Sequence, residues 1–161
     1  MSLLLESCLK TLDNTKDFLL QLTDAELTNK TVAPYYSSVG SHVRHILDFY
    51  NCIVNEVENG VDLSKRERNL EVELYSEVAL EYLEHIKNSL QQLDYDENRI
   101  LQVSDDFGNG IICLNYTFGA LLAQANSHTI HHHAIINYIL DRLGIVITNS
   151  RFGFNPTTPA F

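Results

Sequence analysis

Ser127-His128-Thr129-Ile130-His131-His132-His133-Ala134-Ile135-Ile136 carries four of the seven histidines of the chain. It lies inside a long apolar run without proline, in which Phe118, Leu121, Leu122, Ala125, Ile135, Ile136, Ile139, Leu140 and Leu143 recur at helical spacing. With about 100° per residue, His132 falls near the centre of that apolar face and His128, one turn earlier, falls within it. His131 and His133 fall at opposite edges, as helix-edge residues. Two imidazoles at i and i+4 aimed inward have the spacing with which two helical side chains hold one metal ion. Each would otherwise need its own buried polar partner.

Working outward, this helix spans about 117–143 and stops at Gly144. Ahead of it, Ile100-Leu101-Gln102-Val103 and Ile111-Ile112-Cys113-Leu114 flank Asp105-Asp106-Phe107-Gly108-Asn109-Gly110, which predicts a small β-hairpin. A first helix over 2–22 has one stripe of Leu5, Cys8, Leu9, Leu12, Leu19 and Leu22. A second opens at Ser37-Ser38, where either serine can cap it, and ends at Asn59-Gly60. It buries Val39, Val43, Ile46, Leu47, Tyr50, Val54 and Val57. The alternation Leu70-Glu71-Val72-Glu73-Leu74 predicts extended chain. A third helix starts near Ser76, with Ala79, Tyr82, Leu83, Ile86, Leu90 and Leu93 inward. Four long amphipathic helices and a minor hairpin define an all-α chain, a four-helix bundle, in one domain over 1–161 without repeat or linker. Its tail, 151–161, contains Phe152, Phe154 and Phe161, expected to cover the site mouth or a dimer surface.

A length of 161 residues suits a single domain, and 45% hydrophobic with 20% charged residues is ordinary for a soluble globular protein. A net charge of −10 opposes nucleic-acid backbones and anionic membranes, and no basic patch offsets it. No apolar run spans a bilayer, and the N-terminus lacks the pattern of a signal peptide. Cys8, Cys52 and Cys113 are odd in number and read as buried free thiols in a reducing cytoplasm.

A third metal ligand has to come from a facing helix, and the second helix offers His42 and His45. Periodicity favours His42, which borders the apolar stripe; His45 lies further round, though a ligand near a bundle end need not sit at the stripe centre. Asp48, one turn beyond His45, is placed to accept the second N–H of a ligating imidazole. His85 reads as exposed. Three histidines would suit Zn²⁺, Ni²⁺ or Fe²⁺ and leave a coordination position open for water or substrate. There is no G-x-S-x-G elbow and no Gly-rich phosphate loop.

Ser38-Val39-Gly40-Ser41-His42-Val43-Arg44-His45-Ile46-Leu47-Asp48, followed later by Ser127-His128-Thr129-Ile130-His131-His132, resembles the DinB/YfiT-like family over essentially the whole chain. Many of its members are taken for metalloenzymes. The resemblance implies an antiparallel four-helix bundle with a long crossover, commonly a homodimer. It implies metal ligands at His45, against the periodicity, and at His128 and His132. Thr129 departs from the pattern, because an acidic residue often follows the first histidine of the pair; His131 and His133 are additional. Activities in similar proteins include thiol-dependent S-transfer and a mycothiol-dependent isomerisation, and many others are called metal-dependent hydrolases. The expectation is therefore a metal-dependent hydrolase or thiol S-transferase acting on a small molecule, with a low-molecular-weight thiol as a further cofactor. The alternatives are a non-catalytic dimeric or partner-binding helical module, and a histidine-lined pocket without metal.

Overall fold

Ser2 opens the first helix, its hydroxyl accepting from the Leu5 N–H at 3.2 Å. In the computed structural model, which describes residues 2–94 and 96–159, this helix is α1 (Leu3–Leu19), with its leucine stripe buried as the periodicity predicts. Thr23 and Glu26 form a reciprocal capping box that starts the short α2 (Asp24–Leu27). Ser38 caps α3 (Val39–Val54) by accepting from Ser41 N–H at 3.1 Å. The next long helix, α4 (Ser76–Gln92), has no side-chain cap of its own; Ser76 N–H donates instead to Asp24 at 2.8 Å, tying its start to α2. Thr117 caps α5 (Phe118–Arg142), accepting from Ala120 N–H at 3.0 Å, and Gly144 takes the positive φ of +71° just past its end.

The chain is mostly helical with a small three-stranded sheet. Helix α1 packs on α4 and α5, α3 packs on the same two, and their inner faces share one hydrophobic core. In the sheet, β1 (Gly60–Asp62) pairs in parallel with β2 (Ile100–Asp106), which pairs antiparallel with β3 (Ile111–Thr117). Val61, Leu101 and Val103 carry the core onto the sheet. The hairpin turn is held by Asp106, whose carboxylate accepts from Gly108 and Gly110 N–H. No helix among the described residues is long and apolar enough to cross a membrane.

Several expectations are corrected. Helix α3 ends at Val54 and not at Gly60, because Glu58 and Asn59 adopt φ of +52° and +60° and reverse the chain into β1. Val57 bridges back to Gly60 and is exposed. Leu70–Glu73 forms a 3₁₀ turn, not a strand: β1 already occupies the edge of β2, and only Val72 of the alternating residues finds the core. That turn lies directly on α3, where a Cβ on Gly40 would stand 2.3 Å from the Glu73 carbonyl oxygen. The cysteines are free, but only Cys8 is buried; Cys52 is half-buried and Cys113 is exposed on β3. In the tail, Phe152 is buried against α1 and α5, its ring 4.9 Å from Phe18 and 4.7 Å from His133, whereas Phe154 stays partly exposed under Arg151. Phe161 lies outside the described residues.

Candidate metal centre

Helix α3 presents His42 and His45 to α5, and α5 answers with His128 and His132. Nε2 of His45 lies 2.8 Å from Nε2 of His128, which lies 3.1 Å from Nε2 of His132. The ligand atoms of these three residues all fall within 4.8 Å of one another. An N–H···N bond uses one proton and one lone pair; three ring nitrogens turned toward a common point form the donor set of a metal ion instead. All three residues are half-buried.

His42 joins from the other side of His132, with Nδ1 2.9 Å from Nδ1 of His132 and Nε2 2.8 Å from the Ser37 hydroxyl. Only one proton arrangement leaves Nε2 of His132 free to ligate. His132 Nδ1–H donates to His42 Nδ1, and His42 Nε2–H donates to Ser37. His42, favoured as a ligand by periodicity, is thus placed to fix the tautomer of a ligand. Ser37 was legible only as a possible cap; Ser38 takes that role and releases Ser37 for His42.

The cluster is held neutral. Burial, followed by the neighbouring imidazoles, pushes His132 down to about 2. Burial, then His128, Arg66 and Arg44, pushes His45 down to about 4. Burial also lowers His128 and His42, each further depressed by His131. Neutral imidazoles keep the lone pairs that Zn²⁺, Ni²⁺ and Fe²⁺ take, so these residues fit such an ion.

Other candidates fall elsewhere. Asp48 is buried, but its carboxylate faces Arg44 at 3.0 Å and Tyr82 at 3.4 Å rather than His45, while Arg44 also reaches Glu73 at 2.5 Å. Desolvation raises its pKa against the pull of Arg44. This network ties the 3₁₀ turn and α4 to the helix that carries His42 and His45. His85 is exposed, as expected, and His131, expected at the helix edge, is exposed too.

His133 is not an edge residue. It is 3% exposed, with Nε2 2.8 Å from the Thr15 hydroxyl of α1. The fully buried line on α5 runs through Leu122, Ala125, Thr129, His133, Ile136 and Leu140. Ile135 and Leu143, counted as inward from the sequence, are only half-buried and had drawn the apparent centre toward His132. The burial of His133 also depends on Phe152, which helical periodicity cannot see. Thr129 turns its hydroxyl back to the Ala125 carbonyl at 2.8 Å.

Two residues near the cluster escaped the sequence reading. Phe49 lies with its ring centroid 5.3 Å from that of His128, and Arg66 stands over Phe49 at 5.8 Å.

Fold and site together define a mostly helical protein whose three-histidine cluster is suited to a divalent metal. The sequence profile of the DinB family matches residues 1–156, and the chain belongs to that family. No curated protein and no solved structure matches it.

Proposed function

We propose that His45, His128 and His132 hold a divalent metal ion in a four-helix bundle, and that the protein is a metal-dependent enzyme of the hydrolase or thiol S-transferase type. The observation that carries this reading is the convergence of three neutral Nε2 atoms from two helices on one half-buried point. Three ligands leave a coordination position open, which separates catalytic from structural sites. A bound ion supplies Lewis acidity there and lowers the pKa of a coordinated water or thiol toward neutrality. His42 is placed to keep Nε2 of His132 deprotonated, and Phe49 packs against the ring of His128.

Zn, Ni and Fe are the ions we propose, with a low-molecular-weight thiol as co-substrate in the transferase version. The three unpaired cysteines support a reducing cytoplasm. We further propose a homodimer, supported by exposed Ile111, Ile112 and Leu114 on β3, whose pairing among the described residues is to β2 alone; sedimentation at a monomer mass would refute it.

The test is turnover of the metal-loaded protein on simple esters and on thiol–electrophile pairs. Activity should appear in one class and vanish in His128→Ala and His132→Ala. Stoichiometric metal without turnover in either class would leave a non-catalytic metal-binding module.

A further inference from the structure

Five of the eleven lysines and arginines of this acidic chain pair with carboxylates. Arg44 pairs with Asp48 and Glu73, Arg99 with Glu56, and Lys16, Lys65 and Lys87 with carboxylates. Lys10, Lys30, Arg66, Arg68 and Arg142 have no carboxylate partner and no side-chain hydrogen bond among the described residues, and of these Arg66 alone is half-buried, the others being exposed. The place of Arg66 is set by the chain. Just before it, Leu63, 1% exposed, anchors a 3₁₀ turn (Leu63–Lys65) next to β2. The guanidinium then stands over Phe49, whose ring also lies 5.3 Å from that of His128.

A cation beside a site for a dication is unfavourable unless an anion lies between them. Three imidazoles bring no negative charge to offset the ion. A guanidinium, with five donors in a planar fork, is shaped to receive a carboxylate.

We propose that Arg66 is the anion-recognising residue of the three-histidine site, and that the substrate carries a carboxylate between Arg66 and the metal. This rests on the metal reading above. The aromatic face of Phe49 holds the guanidinium in place while leaving its donors unused. The substrate class is then a small organic acid, favoured over its neutral analogues by Arg66.

The test uses full-length protein loaded with Co²⁺, whose visible absorption follows its ligands, titrated with propionate and with propionamide. Propionate should shift the spectrum saturably and propionamide should not. Arg66→Met should bind Co²⁺ in the same ratio yet weaken propionate at least about tenfold, the loss expected for one charge-assisted contact. Arg66→Lys, which keeps the charge without the fork, should fall between. With Co²⁺ bound, an unchanged propionate affinity in Arg66→Met, equal binding of propionamide, or no response of the wild type to propionate would each overturn the role of Arg66 and leave the metal site standing. Failure of the wild type to bind Co²⁺ would overturn both.

Discussion

Nδ1 of His42 lies 2.9 Å from Nδ1 of His132, while Nε2 of His132 turns away toward His128. One imidazole is thereby placed to hold another in the tautomer that a metal requires. Losing such a partner typically lowers metal affinity by about 10–100-fold. His42→Ala should do so with the metal-to-protein ratio intact at saturation. Ser37→Ala, one bond further away, should cost less. Competition against a chelator measures both, and unchanged affinity in His42→Ala would refute the orienting role.

His133 makes the fold sensitive to acid. Its folded pKa is pushed down to about 3 by burial, against about 6.5 for a histidine in an unfolded chain. Between those values the unfolded state binds the proton and the folded state does not, so stability rises with pH. The contribution is complete above about 6.5 and is lost as pH falls toward 3. His45 and His132 act in the same direction in the metal-free protein. His133→Leu should flatten this dependence by at most about 1.4 kcal/mol per pH unit. Urea unfolding of metal-free protein across this range checks it; an identical slope would place His133 in water.

Gly40 is required by contact, not by backbone conformation. Alanine is ordinarily better than glycine in a helix by about 1 kcal/mol. Here its Cβ would meet the Glu73 carbonyl at 2.3 Å, and a backbone atom cannot swing aside. Gly40→Ala should therefore destabilise, by about 1–3 kcal/mol, and loosen the Arg44–Glu73 pair. Denaturant unfolding showing a gain in stability would contradict the close packing of the 3₁₀ turn on α3.

Phe152 is a core residue supplied by the tail. Phe152→Ala should cost about 3–5 kcal/mol, because its ring fills the space between Phe18 and His133. Metal stoichiometry should be unaffected, since His133 points to α1 and not to the ligand cluster. A selective loss of metal with unchanged stability would make the tail a lid over the site after all.

These residues also mark where sequence reasoning succeeds and where it stops. The long helices, the hairpin and the i, i+4 pair His128/His132 follow from local periodicity and turn chemistry, and all are present. The choice between His42 and His45 does not, because both lie on one side of α3 and their distinction is which nitrogen of which partner they meet. Resemblance to the family pointed to His45 where the stripe alone pointed to His42. Strand β1, the burial of His133 and the location of Arg66 depend on contacts between segments distant in the chain, to which periodicity is blind. The alternation at residues 70–74 misled because five residues fit period two while the edge they would need was occupied.

The most direct measurement is the metal content of the purified protein after dialysis against Zn²⁺, Ni²⁺ or Fe²⁺, by elemental analysis, beside His45→Ala, His128→Ala and His132→Ala. Convergence of the three Nε2 atoms predicts one tightly held ion per chain, retained against a weak chelator, and its loss in all three variants. A folded wild type that stays metal-free, or variants that keep their ion, would contradict the three-histidine centre.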